Sequence, residues 1–283
     1  MLPVLFHFGP IKIYTFGVFL MLAFFWASFI LWKNIRLTAL KEDEVFDGLF
    51  LGLFFGLFFS RLFYVILNFR DFGFSFLKFI LVNGYPGLSL IGFLTGFFLF
   101  LAIFFSFKKE KILETFDYYI APLFLALGLA KLGSFFSGEE VGRVTNFFLK
   151  TKYLGFSGYR HLTAFYEAIF YFLAFVASQK ILFEIRKARF FKGFLFYMGI
   201  FYFSLITYLF DFLKENHLFL GKFSFNQITS IIFLLTTGSY LVYYFRSAIL
   251  SSAKSYGKKI FGKIHFRTKR ETGERKGEKP KGD

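Results

Sequence analysis

The sequence contains no cysteine, which excludes disulfides, a thiolate nucleophile of its own and any Cys-ligated metal. It also excludes anchoring through a lipid on its own cysteine. Histidine is nearly as scarce: His7, His161, His217 and His265 are the full set, and no two stand at metal-ligand spacing. No metal and no cofactor are therefore expected. His7 and His217 read as solvated positions near an interface. Acidic residues are outnumbered, 18 against 34 Lys and Arg. That excess does not mark a nucleic-acid binder, because no aromatic or Gly-rich RNA-binding pattern accompanies it. Much of it lies in 248–283, which reads as a solvated, disordered cytoplasmic tail against an anionic leaflet, beside a membrane domain at 1–247. The first apolar run follows Phe6-His7-Phe8-Gly9-Pro10 rather than a basic leader, so it is expected to be a retained helix.

What is abundant is phenylalanine, 53 residues in a chain that is 56% apolar. A soluble domain of this length could not hide so much aromatic surface, whereas lipid requires no hiding. Apolar runs long enough to span a bilayer, about 20 residues each, fall at 12–32, 46–67, 88–107, 113–135, 162–184, 192–213 and 224–246. Between the second and third, Phe69 to Gly87 carries Arg70, Asp71, Lys78 and the turn Asn83-Gly84-Tyr85-Pro86-Gly87, an interfacial arm rather than a span. The expected fold is an all-α integral membrane protein of about seven transmembrane helices with this short arm.

Lys and Arg set the orientation. One side holds Lys33, Arg36, Lys41, Lys108, Lys109, Lys111, Lys180, Arg186, Lys187, Arg189, Lys192 and the tail; the other holds Lys12, Arg70, Lys78, Arg143, Lys150, Lys152, Arg160, Lys214 and Lys222. The richer side faces the cytoplasm, which puts the N-terminus out and the C-terminus in. Gly48, Gly52, Gly56 and Ser60 recur every fourth residue, as do Gly92 and Gly96, stripes at which two helix backbones can approach closely. Tyr118 and Tyr119 read as interfacial anchors near the inner face.

Ionisable groups inside apolar runs need a partner or a task. Arg61, Lys131, Glu167 and Asp211 are such groups, and His161 and Tyr166 flank Glu167. With the orientation above, all fall in the outer half of the membrane. They are either structural ion pairs, Lys131 or Arg61 against Glu167 or Asp211, or the lining of one water-accessible cavity for a phosphate headgroup. Glu139 and Glu140 could be paired carboxylates, but a loop role near Arg143 is the expectation. A small-solute transporter would spread its charges through the membrane depth and often carry an internal repeat; neither pattern is visible.

In order, the chain reads Gly9-Pro10-Ile11-Lys12-Ile13, Ser60-Arg61-Leu62-Phe63-Tyr64-Val65, Gly87-Leu88-Ser89 with Gly92 and Gly96, and Lys131-Leu132-Gly133-Ser134-Phe135-Phe136-Ser137-Gly138-Glu139 to Gly142-Arg143. Arg160-His161, Tyr166-Glu167-Ala168 and Asn226-Gln227-Ile228 follow. Together these segments resemble the prolipoprotein diacylglyceryl transferase family of bacterial membrane enzymes. The resemblance implies transfer of diacylglyceryl from phosphatidylglycerol to the lipobox cysteine of a preprolipoprotein, forming a thioether and releasing glycerol phosphate. The partners it implies are phosphatidylglycerol, preprolipoprotein signal peptides and membrane lipid, in the bacterial inner membrane. It also implies Lys131, Ser134, Arg61, Gly138, Glu139, Gly142, Arg143 and Tyr166 in substrate binding, with His161, Asp211 and Glu167 in the chemistry. Where the family has Arg, Asn, Tyr, His, Arg and Glu, this chain has Lys131, Ser134, Phe16, Ile91, Thr207 and Asp211. The alternative is a homologue that binds phospholipid or precursor without turning it over.

Overall fold

The computed structural model describes residues 2–9, 11–82, 84–215, 219–220 and 223–247. His217, His265, Asn83, Lys222 and the basic tail at 248–283 lie outside the described residues. Among the described residues seven helices are long and apolar enough to cross a membrane: α1 (Thr15–Ile35), α2 (Glu42–Leu67), α5 (Leu90–Phe107), α6 (Ile112–Ser137), α7 (Thr163–Arg186), α8 (Phe194–Asp211) and α9 (Phe225–Ser247). The protein is a multi-pass membrane protein. Two short helices, α3 (Phe69–Phe72) and α4 (Phe76–Ile80), form the arm between α2 and α5. Residues Met1–Leu234 make one compact unit; the second begins at Leu235 and is described as far as Ser247, within α9.

The spans start and stop within a few residues of the apolar runs. The first begins later than hydropathy suggests because Val4–Phe8 (β1) and Ile11–Tyr14 (β2) form an antiparallel hairpin ahead of it. Two further hairpins occur among the described residues, Lys150–Thr151 (β3) with Arg160–His161 (β4), and Phe219–Leu220 (β5) with Phe223–Ser224 (β6). These are too short to carry an apolar alternation in the sequence.

The small-residue stripes join α2 to α5. A Cβ on Gly48, Gly52 or Gly56 would press on Phe105, Phe97 or Phe93, and one on Gly92 or Gly96 would run into Phe63 or Phe59. Dispersion at close range, not hydrophobic exclusion, holds such a pair in lipid. Helix α6 is the most buried span and packs on α1, α7 and α8. Tyr118 and Tyr119 therefore depart from the expectation of interfacial anchors. Both are buried, and the Tyr119 hydroxyl donates to the Val45 carbonyl at 2.9 Å; α6 is covered at that level by α2, so its rings fill a helix contact. Directly before these tyrosines on α6, Asp117 accepts the N–H groups of Gly193 (2.6 Å) and Phe196 (2.9 Å). A carboxylate from a neighbouring helix thus caps the start of α8, satisfying donors that the helix itself cannot.

The ends of α2, α6 and α8 and the starts of α5, α7 and α9 share one face. Leu2 N–H bonds the Phe136 carbonyl (2.8 Å), Ser89 N–H the Ser60 carbonyl (3.1 Å), and Arg143 N–H the Leu213 carbonyl (2.8 Å). Arg61, Lys131, Glu167 and Asp211 lie at this end.

Candidate active site

Helix α6 stops because Gly138 adopts φ +81°, a left-handed turn that lets the N–H groups of Gly138 and Glu139 both return to the Ser134 carbonyl (2.9 and 3.2 Å). This is a glycine C-cap. It reverses the chain, so that Glu140 folds back over Lys131, two turns down the helix. Lys131 Nζ lies 2.5 Å from Glu140 Oε1 and 2.5 Å from Glu167 Oε2. A second ammonium, Lys214, completes the group at 3.2 Å from Glu140 Oε2 and 2.8 Å from Glu167 Oε1. Two cations and two carboxylates alternate around one point, drawn from α6, α7 and the segments that follow α6 and α8.

A small extended layer closes over this quartet. Gly142 bridges Lys214 and Val144 bridges Arg160, while β4 pairs onward with β3. Glu215 N–H donates to the Val141 carbonyl (3.0 Å) and His161 N–H to the Arg143 carbonyl (3.0 Å). Gly142 cannot be larger, because a Cβ there would collide with the His161 carbonyl. Arg160 is buried beneath the layer, donating to the Gly142 carbonyl (3.0 Å) and pairing with Glu215 (3.1 Å). The layer delivers Lys214 to the quartet from outside the helices.

Each expected residue can now be placed. Lys131 and Glu167 come together as an ion pair. Gly138, Glu139, Gly142 and Arg143 build the turn and the layer; Arg143 stays exposed, its Nε donating to the Lys214 carbonyl (3.2 Å). Part of Glu139 faces solvent, while partial desolvation of its carboxyl, with the neighbouring Glu140, raises that group. Ser134 is buried one turn above Lys131, and Phe16 packs on Gly133. Tyr166 donates to the Leu149 carbonyl (2.5 Å) and its ring lies 6.3 Å from His161. His161 also faces Phe147 at 6.0 Å, and its Nδ1 is buried without a hydrogen bond. Asp211 is buried and accepts from Asn226 Nδ2 at 3.2 Å.

Arg61 is placed elsewhere. Its guanidinium is buried and donates to the carbonyls of Phe79 (3.0 Å), Gly87 (2.8 Å) and Lys78 (2.7 Å), between the rings of Phe72 and Tyr64. It fastens the arm to α2. Ile91 is also apart, lining an apolar cavity of about 240 Å³ with Phe98, Ile120, Phe124, Phe196 and Phe203. Two members of the quartet were not expected in the site: Glu140, read with Glu139 as a loop carboxylate near Arg143, and Lys214, counted only among the charges of a connection. Both lie outside the apolar runs, where a charge is unremarkable.

The electrostatics follow from the packing. Burial works to raise the Glu140 carboxyl, but the charges of Lys131 and Lys214 outweigh it and hold it at about 2. Burial likewise works against the Lys214 ammonium, and Glu140 with Glu167 lifts it well above the ordinary lysine range. Burial lowers the His161 imidazole, so at neutral pH the ring is uncharged and able to accept a proton. Among the described residues no group of three His, Asp or Glu side chains could hold a metal ion.

A family model described as prolipoprotein diacylglyceryl transferase matches residues 3–244. Similar proteins include the phosphatidylglycerol–prolipoprotein diacylglyceryl transferases of Clostridium novyi (strain NT), 25% identical over 82% of this chain and 92% of that one, and of Clostridium botulinum (strain Loch Maree / Type A3), 25% identical over 90% and 99%. The transferase of the same name from Ehrlichia ruminantium (strain Welgevonden) is 29% identical over half of this chain and 56% of its own. With nearly every span included in the match, the chain belongs to the prolipoprotein diacylglyceryl transferase family.

Proposed function

We propose that the chain transfers diacylglyceryl from phosphatidylglycerol to the thiol of a lipobox cysteine in a preprolipoprotein, at the quartet end of the bundle. The observation that carries this reading is the meeting of Lys131 and Lys214 on Glu140 and the buried Glu167 at the membrane end of α6, in a chain of this family. The end faces outward across the bacterial inner membrane. The reaction breaks the bond from the glyceryl carbon to a phosphate oxygen and forms a carbon–sulfur bond. The leaving glycerol phosphate gains a negative charge as that bond breaks, so fixed cations stabilise the transition state more than the bound lipid.

The incoming sulfur must first lose its proton. His161 is uncharged, and its buried Nδ1 has no partner, so it is assigned as the base, with Asp211 and Glu167 holding the surrounding charge. Tyr166 holds the 147–149 loop against the His161 edge. Ser134, Gly138, Glu139, Gly142 and Arg143 shape the headgroup site around Lys131. Arg61 contributes from a distance, by fixing the arm. Ile91, set in an apolar cavity, does no acid–base work, and this is the feature that favours the second reading, lipid or precursor binding without turnover.

Membranes containing the protein, given phosphatidylglycerol and a lipobox peptide, should form the thioether. Lys131→Ala should reduce the rate by roughly a hundredfold or more, the loss expected for one transition-state donor in a water-poor site. Full activity in that variant would remove the phosphate assignment. A folded wild type that binds phosphatidylglycerol but forms no product would establish the second reading.

A further inference from the structure

The two carboxylates of the quartet are not equivalent. Glu167 stands on α7 with 2% of its side chain exposed; Glu140 stands on the loop past Gly138 with 28% exposed. Both Glu140 oxygens contact Lys131 Nζ, at 2.5 and 2.7 Å, and the second also reaches Lys214 at 3.2 Å, so this one carboxylate lies against both ammonium groups. Two non-bridging oxygens of a phosphodiester present a comparable bite and the same single negative charge. Resting on the phospholipid reading above, we propose that Glu140 holds the place of the substrate phosphate and that Lys214 is the second cation of the headgroup site.

Charge decides which group leaves. If Glu140 swings out, Lys131, Lys214 and Glu167 leave one net positive charge, which a phosphodiester neutralises. The freed carboxylate is already next to solvent, so it regains hydration. If Glu167 left instead, no such route exists, because an unpaired carboxylate inside the bundle is strongly unfavourable. Lys214 stays in place, since its segment is tied by the Arg143 to Leu213 and Glu215 to Val141 bonds. Only a side-chain rotation of Glu140 is required. Lys214 also stands three residues beyond Asp211, close to the end of α8, so the second cation reaches the site from a loop rather than from within a span. The resting pair has two effects: it keeps both lysines charged and oriented in an empty site, and it sets a threshold that an uncharged lipid cannot cross.

The test is lipid-dependent thermal stabilisation of the full-length protein in micelles, titrated with phosphatidylglycerol, with diacylglycerol, and with sn-glycerol 1-phosphate. Glu140→Gln should bind phosphatidylglycerol about tenfold more tightly, because the competing closed state is removed. Lys214→Gln should weaken binding by about tenfold or more, Lys214→Arg should restore most of it, and diacylglycerol should respond to none of these changes. Glu140→Asp, which keeps the charge but shortens its reach, should fall between wild type and Glu140→Gln, and serves if the amide variant folds poorly. A gain in Glu140→Gln shared by glycerol phosphate means the phosphate alone suffices; a gain confined to phosphatidylglycerol means the lipid headgroup is required. Unchanged phosphatidylglycerol affinity in Glu140→Gln and Glu140→Asp overturns the proposal, even where the wild type is an active transferase that needs Lys131. Tighter binding without thioether formation would leave it standing while removing the transferase reading.

Discussion

His161 and Glu140 both make the fold less stable as pH falls, over separate ranges, whereas Lys214 does so only as pH rises. For His161, burial disfavours the charged ring, so its folded-state value lies below the ordinary 6.5. The unfolded chain therefore takes up a proton first, and stability is lost as pH falls from 6.5 toward the folded value. If the neutral ring is the base, the acid limb of kcat/KM should lie below pH 6.5, and His161→Gln should abolish that limb along with most of the rate. A limb unchanged in His161→Gln would assign the base elsewhere. For Glu140 the folded value is depressed to about 2, so its contribution is present above the ordinary 4.5 and is lost as pH falls from there toward 2. Lys214 is raised, so its contribution holds below 10.5 and fades only as pH rises beyond that. The site should stay assembled throughout the range in which His161 titrates. Lys131 and Glu167 were visible in the sequence because a charge inside an apolar run is unfavourable without a partner. Glu140 and Lys214 could not be picked out as site residues, because neither interrupts a span. Glu139 and Glu140 are neighbours, and only the left-handed turn at Gly138 decides which one points at Lys131.

At the level of elements, the seven spans and the arm were legible from hydropathy, and the α2–α5 contact from the glycine spacing. The two later hairpins were not, because two-residue strands carry no pattern. Arg61 shows how a residue can be visible while its use is not. A buried guanidinium in a span suggested a phosphate ligand, yet its donors are spent on carbonyls of Lys78, Phe79 and Gly87 at the base of the arm. The arm itself exposes Phe74, Phe76 and Leu77, side chains suited to a membrane interface. Arg61→Ala should therefore destabilise the protein by roughly 2–4 kcal/mol, as carbonyls lose charged donors in a buried setting. Faster proteolysis between α3 and α5 should accompany the fall in melting temperature. An unchanged melt with lost phosphatidylglycerol binding would return Arg61 to the headgroup.

At the scale of the whole molecule, the placement of the quartet gains meaning from which way the bundle faces. A lipobox cysteine presented at the outer surface can meet Lys131 and His161 only if the end of α6 faces out. The basic connections argue for that orientation, since Lys33, Arg36, Lys108, Lys109, Lys187 and Arg189 all lie at the opposite end from the quartet. The absence of cysteine makes this directly measurable, because any cysteine introduced is the only thiol in the protein. Ser157→Cys lies in the exposed loop between β3 and β4, on the quartet side, and Leu37→Cys lies between α1 and α2 at a position 75% exposed. In intact cells a membrane-impermeant maleimide should label Ser157→Cys and leave Leu37→Cys unlabelled until the membrane is permeabilised. The reverse pattern would turn the quartet toward the cytoplasm, where it could not serve a substrate presented outside, and the assignment of Lys131 and Lys214 to an outer-leaflet phosphate would fall with it.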